Sequence, residues 1–317
     1  MNMIETEVLF RPSSADLKFL PEGPYWLGHD SMSWVSIQHG AGATFGAINR
    51  LSLTTGINET TVLKGRPGFA FPTNAPNVFV AGVEREVGFM DVLTGKWTPL
   101  ITGVDSSVVN TIINDGVVFE GNLIFGCKDL EFRTHKAGLY LWRRSDRRLI
   151  TLRSDQICSN GKAVVPGDAG MLWLYDIDSP SKKITRSLLN LQGATLSDPH
   201  TIVDLTAGNV FPDGMILTPD HQSLIVALYD PGDSKFGSAR QYRISDGALE
   251  AIWTCPGAPR VTCPQLVEQN GKVRLVLTTA VEGMTEEQLQ QHPNSGCLFV
   301  GDTPFTSLGD QPRFDIP

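Results

Sequence analysis

No cysteine pair in the 317-residue chain has C-x-x-C spacing, and the cysteine count of five is odd. A disulfide framework is therefore not signalled, and Cys127, Cys158, Cys255, Cys263 and Cys297 read as free, mostly buried thiols. No run of about 18 apolar residues occurs, which leaves no transmembrane helix. The first twenty residues carry Glu5, Glu7, Arg11, Asp16 and Lys18 where a signal peptide needs an apolar core. A soluble cytoplasmic protein without a membrane partner is expected. Positive charge is also in deficit: 26 Lys and Arg against 34 Asp and Glu give a net charge of −8, which argues against nucleic acid as the main partner. The one basic cluster, Arg143, Arg144, Arg147 and Arg148, reads as a solvated hairpin tip. Helical periodicity is nearly absent; the best candidate is 285–291, one or two turns with Thr285 as N-cap. There is no G-x-S-x-G elbow, and the six histidines show no metal spacing. His200, in Ser197-Asp-Pro-His200, reads as a surface-loop residue. No stretch reads as a linker, so one domain over 1–317 is expected.

What the chain does have is strand. Runs of four to eight β-forming residues recur at 77–81, 116–119, 123–126, 139–142, 172–175, 224–228, 273–278 and 297–300, each bounded by Gly, Pro, Asp, Asn or Ser. A hairpin pattern also repeats: a strand, a polar or Thr-Gly turn, then a strand ending in Leu or Trp. Copies centre on Thr55-Gly56, Thr94-Gly95, Asp146, Asp178 and Asp246-Gly247. The period averages about fifty residues, as four-stranded propeller blades require, and it divides the chain into about six. The expected fold is an all-β six-bladed β-propeller with a central metal site. A sandwich accounts for the strands equally well, but not for the phase of the polar motifs.

Four motifs put polar residues where β-proteins place apolar ones: Pro21-Glu22-Gly23-Pro24, Asn114-Asp115-Gly116, Ser159-Asn160-Gly161 and Pro212-Asp213-Gly214. Their key residues are 92, 46 and 53 positions apart, close to two, one and one blade lengths. Equivalent positions in successive blades would bring Glu22, Asn114, Asn160 and Asp213 to one point on the propeller axis. Two carboxylates and two amides are hard oxygen donors, suited to Ca²⁺, Mg²⁺ or Mn²⁺. A divalent ion would also relieve the repulsion of two carboxylates in a partly dry channel. The following glycines are expected to let the backbone turn sharply. Taken singly, each motif is an ordinary turn.

These motifs, with Leu20-Pro-Glu-Gly-Pro-Tyr-Trp26, Phe211-Pro-Asp-Gly-Met215, 224–232 and Thr278-Thr-Ala-Val-Glu-Gly-Met284, resemble the senescence-marker-protein, gluconolactonase and luciferin-regenerating-enzyme family over nearly the whole length. The resemblance implies a six-bladed propeller with one catalytic divalent ion, Ca²⁺ first, with Mg²⁺, Mn²⁺ and Zn²⁺ as alternatives. It implies hydrolysis of sugar-acid lactones or related cyclic esters, so a small-molecule partner. Carried over by position, it implies Glu22, Asn160 and Asp213 as metal ligands and Asn114 as a contact for substrate or water. Glu131 falls at a position for binding substrate hydroxyls. Asp213 doubles as general base. One departure stands out: sugar-lactonase members often have an arginine two residues before the Asn of Asn-Asp-Gly, and here that position is Ile112. Lys128 is a candidate replacement whose default reading is a solvated side chain.

A metal-dependent lactonase is the first reading. A hydrolase of another ester, such as an organophosphate or aryl lactone, shares the ion and differs in pocket lining, and Ile112 leans toward it. A non-catalytic propeller stabilised by the ion is the third. Because a propeller leaves an open edge between its first and last blades, the segment around 7–10 is expected to pair with strands from the C-terminal end.

Overall fold

The computed structural model describes residues 2–38 and 42–316; His39 lies outside them. The chain divides into two compact units, one of residues 1–67 with 208–311, the other of residues 68–207 with 312–317. Each holds three antiparallel sheets in which successive strands are neighbours.

In the first unit, one sheet runs Pro21–Gly28, Ser31–Ser36, Gly46–Ser52, Asn58–Leu63. The next runs Phe211–Leu217, Ser223–Tyr229, Phe236–Arg243, Leu249–Pro256, and the third begins Val261–Gln269, Lys272–Thr279, Leu298–Asp302. The fourth strand of that third sheet is Glu7–Phe10, antiparallel to Leu298–Asp302 with Glu7 opposite Val300 and Val8 opposite Phe299. The expected closure is therefore present. A further strand that no sequence pattern signalled, Asn2–Glu5, lies parallel along Leu249–Pro256. Between the two N-terminal strands Thr6 is buried, its Oγ1 donating to the Thr254 carbonyl at 2.8 Å.

In the second unit the sheets start with Pro67–Pro72, Thr111–Phe119 and Ser159–Pro166. The third of these sheets has its outer place filled by two short strands, Thr195–Leu196 and His200–Asp204, both on Lys183–Asn190. His200 is thus an exposed edge-strand residue rather than a loop residue.

Local chemistry explains these elements. The Thr-Gly and Asp-Gly hairpins close with Gly56, Gly95 and Gly247 at φ of 69–70°, a conformation that costs glycine nothing. The N–H of Gly56, Gly95 and Gly247 reaches back four residues to Ser52, Asp91 and Arg243. The arginine cluster is a hairpin tip as expected, with Arg143 paired to Asp146 and Arg144 to Asp315. The short helix Glu286–Gln291 starts at Thr285 with a full capping box.

Apolar side chains fill the spaces between sheets inside each unit. Met32, Trp34 and Leu51 pack on Val276 and Leu298 in the first, and Phe69, Phe125, Trp142 and Phe314 pack together in the second. All five cysteines are free and buried. Burial pushes the thiols of Cys127, Cys255 and Cys297 above their usual range, Cys255 to about 12, which suits packing and not nucleophilic chemistry. Among the described residues no helix is long and apolar enough to cross a membrane.

Candidate functional site

The four polar motifs are not turns. Each lies within the first strand of its sheet, at a break in register: between Glu22 and Tyr25, Ile113 and Gly116, Asn160 and Lys162, and Pro212 and Met215. These are β-bulges, which re-aim side chains and are common beside active sites. The glycines also act differently from expectation. Only Gly23 has a positive φ, 49°. At Gly116 and Gly214 the need is space: a Cβ on Gly214 would lie 2.5 Å from Cys263 Sγ, and one on Gly116 3.1 Å from Phe125 Cβ.

In the first unit, the Glu22 and Asp213 motifs flank one further bulge, at Thr262-Cys263 in Val261–Gln269. Thr262 Oγ1 donates to the Pro21 carbonyl at 2.7 Å, while Cys263 is the close neighbour of Gly214. Glu22 and Asp213 are both buried, and Glu22 Oε2 accepts the Gly23 N–H at 3.0 Å. The hydroxyl of Tyr229 donates to the Glu282 carbonyl at 3.0 Å. Burial raises its pKa, and the charges of Glu282 and Asp213 raise it further while Arg260 opposes them. Arg260 is buried with its guanidinium 5.6 Å from the Tyr229 ring and donates to the carbonyls of Glu282 and Pro231.

In the second unit, Asn114 and Asn160 touch. Asn114 Nδ2 donates to the Ser159 carbonyl at 2.9 Å and to Asn160 Oδ1 at 3.1 Å, and Asn160 Nδ2 donates to Ser179 Oγ at 3.0 Å. Both amide nitrogens are thereby committed to the protein. What the pair has left to offer is oxygen: Asn114 Oδ1, and the second lone pair of Asn160 Oδ1. The Asn114 backbone is tightly enclosed, since a Cβ on Gly68 would fall 1.9 Å from its carbonyl oxygen. Glu131 lies apart from this pair, exposed on the next loop, where Oε1 accepts from Asn110 Nδ2 at 2.9 Å.

Beneath Asn160 lies a charged group that sequence reasoning missed. The side chain of Lys162 is fully buried; its Nζ donates to the Asn160 carbonyl at 2.8 Å and stands 3.4 Å from Asp176 Oδ1. Burial raises the pKa of Asp176 and of Asp115, with the charge of Lys162 pulling both the other way. Lys162 and Asp176 stand in Ser159–Pro166 and Leu172–Asp178 beside other polar residues, so nothing in the sequence marks them as inward-facing. Buried Asp176 and half-buried Asp115 share one ammonium, so the fold holds an excess negative charge here. A carboxyl with a raised native pKa is stabilising when protonated, and that contribution is lost as pH rises through the native pKa. Asp115→Asn keeps an acceptor for the Gly116 N–H, now received by Asp115 Oδ1 at 2.6 Å. It should raise Tm at pH 7–8 by about 2–4 °C, the shift that ~1 kcal/mol produces in a large domain, with the gain vanishing toward pH 4. Thermal melts across that range check it; a lower Tm at pH 7 would show that the anion is the stabilised form.

Lys128 does not match its default reading. It is buried, at 7% exposure, not solvated. It stands directly across the strand pair from Ile112, also buried.

Among the described residues no three or more His, Cys, Asp or Glu side chains gather as a metal-holding group. An ion in this chain would need amide and backbone oxygens alongside carboxylates. The carboxylates of Glu22 and Asp213 in the first unit, and the amide oxygens left by the Asn114–Asn160 pair in the second, are each hard donors of the kind a divalent cation takes.

Comparison with known proteins identifies the family and the fold. Residues 20–281 match the family described as SMP-30/Gluconolactonase/LRE-like region. The Bacillus subtilis (strain 168) protein YvrE, named as a sugar lactone lactonase, is 29% identical over 181 residues, which span 56% of this chain and 57% of that protein. A structure described as the calcium-binding protein regucalcin, from Agrobacterium tumefaciens strain C58, superposes with a TM-score of 0.81 at 17% identity, covering 100% of both chains. A luciferin-regenerating enzyme superposes with a TM-score of 0.75 at 17% identity, over 93% of this chain and 96% of its own. These structural likenesses show the fold: the six four-stranded sheets are the blades of a six-bladed β-propeller.

Proposed function

Because the chain belongs to the SMP-30/Gluconolactonase/LRE-like family, we propose that it hydrolyses a lactone, adding water to the ring ester and releasing a hydroxy acid. The observation that carries this reading is the set of oxygen-bearing bulges on the first strands of the sheets, at Glu22, Asn114, Asn160 and Asp213. Glu22, Asn160 and Asp213 are the proposed ligands of one divalent ion, Ca²⁺ in the first instance, and regucalcin, described as calcium-binding, supports that choice. When bound, such an ion would supply Lewis-acid polarisation of the lactone carbonyl and a lower pKa for water.

The chain's own residues do the rest. The Asp213 carboxylate takes a proton from the attacking water as its oxygen bonds to the carbonyl carbon. The same proton then goes to the ring oxygen as the C–O bond breaks, so the carboxyl returns to its starting state. Asn114 has both N–H groups engaged and acts as an acceptor through Oδ1, orienting a water or a substrate hydroxyl. Glu131, whose Oε1 accepts from Asn110, has only its second carboxylate oxygen to offer substrate hydroxyls, from an exposed loop apart from the asparagine pair.

The test is a panel of lactones, aryl esters and phosphotriesters, run with the protein stripped of metal and reloaded with Ca²⁺, Mg²⁺, Mn²⁺ or Zn²⁺. Lactone turnover abolished by chelator and restored by one of these ions is the expected result. Turnover of aryl lactones or phosphotriesters alone would favour the second reading, which rests on the apolar Ile112. No turnover with any ion would leave a binding propeller.

A further inference from the structure

Lys128 is an ammonium without a counter-charge. Among the described residues its Nζ makes no hydrogen bond or ion pair, and its one recorded contact is the Phe132 ring, 5.9 Å to the centroid. The neighbouring acids are committed elsewhere. Asp129 pairs with Lys136 at 3.0 Å and accepts the N–H groups of Glu131, Arg133 and Thr134. Burial works against its ionisation, but Lys136 and those N–H groups prevail and hold its pKa at about 2. Glu131 is bound to Asn110. The residue is only 7% exposed, and Nζ keeps a small contact with solvent. Where most of its water is lost, one distant ring face replaces little of it.

Its position says what the acceptor is for. Lys128 is the cross-strand partner of Ile112, two residues before Asn114, and the two side chains share a face of the sheet. On its other side its backbone bridges to Cys158, two residues before Asn160. The Cys158 thiol in turn lies 3.8 Å from Asn114 Nδ2 and 3.7 Å from Asn160 Nδ2. The unpaired cation is thus held by the two strand segments that lead into the touching amides.

We propose that Lys128 is a specificity-determining residue that grips an anionic substituent of the substrate. The lactone would then carry a carboxylate or a phosphate besides its ring ester. This rests on the lactonase reading of the same site. An anionic oxygen is the natural partner of a compact ammonium, giving a short charge-assisted hydrogen bond. Lys128 supplies a cation on the strand beside the apolar Ile112.

The test compares three lactones of one ring size, neutral, carboxylate-bearing and phosphate-bearing, with the parent, Lys128→Met and Lys128→Arg. Lys128→Met keeps the length of the stem and removes the charge. The ratio of kcat/KM for the preferred charged lactone over the neutral one should fall ~10–100-fold, the range of one lost charge-assisted hydrogen bond, with partial recovery in Lys128→Arg. Which charged lactone suffers identifies the group. The ligand-free Lys128→Met protein should melt at or above the parent temperature, because an uncompensated buried charge has gone; a structural lysine would lower it. An unchanged ratio, or a lower Tm with an unchanged ratio, overturns the proposal. If no lactone turns over, the lactonase reading fails and calorimetry decides separately, using the ring-opened hydroxy-dicarboxylate and hydroxy-phosphate as probes. Binding to the parent that is lost in Lys128→Met sustains the anion site, and no binding to the parent overturns it.

Discussion

Asp213→Asn lowers kcat by about 10²–10⁴-fold, the contribution of a positioned general base, in a protein that still folds. The substitution is close to isosteric, and its amide could still offer an oxygen to a cation, so bound metal should fall only in part. What it cannot do is accept a proton. Asn114→Ala is the matched comparison: it removes an acceptor that orients water or substrate, so it should raise KM and lower kcat more mildly. A residue that merely closes a turn would tolerate Asp213→Asn almost silently, since Asn suits the same turns. Asp213, however, lies at a bulge inside Phe211–Leu217. Measuring kcat, KM and bound metal for both variants decides the matter. A fully active, metal-loaded Asp213→Asn protein would remove Asp213 from the mechanism and move the base role to Glu22 or to a metal-activated water.

Deleting residues 1–12 should lower Tm by about 10 °C or more. The segment contributes two strands to two different sheets, Asn2–Glu5 on Leu249–Pro256 and Glu7–Phe10 on Leu298–Asp302. It also covers apolar surface: Ile4 and Val8 pack on the cluster around Trp253 and Phe299, and Leu9 and Phe10 on the cluster around Trp34. Losing four partly buried apolar side chains costs several kcal/mol at roughly 25 cal/mol per Å² of apolar area. The deletion also leaves two open strand edges, so the truncated protein should aggregate on heating. Thermal melts with light scattering check both effects, and an unchanged Tm would show that the outer strands are dispensable.

The outer parts of the sheets were legible because their residues obey local rules. All eight strand runs read from alternation and β-branching lie in or across observed strands, and Thr285 caps the one helix foreseen. Three of the first strands were hidden for the opposite reason. Pro21–Gly28, Pro67–Pro72 and Phe211–Leu217 are written in Pro, Gly, Glu and Asp, which read as turns. They are strands because neighbouring sheets pack against them, and bulges absorb the residues that do not fit a ladder. Local preference and tertiary structure disagree most at the motifs proposed to carry the chemistry, as expected where function overrides foldability. Glu22, Asn114, Asn160 and Asp213 could be picked out by that same mismatch. Lys162 and Asp176 were missed because a single charge in a strand usually marks a solvent-facing position, and only packing shows that these face inward. Lys128 was misread on the same ground.

The pairing of Glu7–Phe10 with Leu298–Asp302 also sets a schedule for synthesis. Residue 7 must wait for residue 300, about 15–60 s later at typical elongation rates. During that interval the strand is an unmatched edge with apolar side chains, and the sheet built on Val261–Gln269 cannot be completed before Leu298–Asp302 has emerged. Most of the other hairpins close within a few tens of residues and can form as they appear. Slowing translation should therefore prolong the interval in which this one seam is open, and it is there that chaperone engagement or chain-to-chain strand exchange would concentrate.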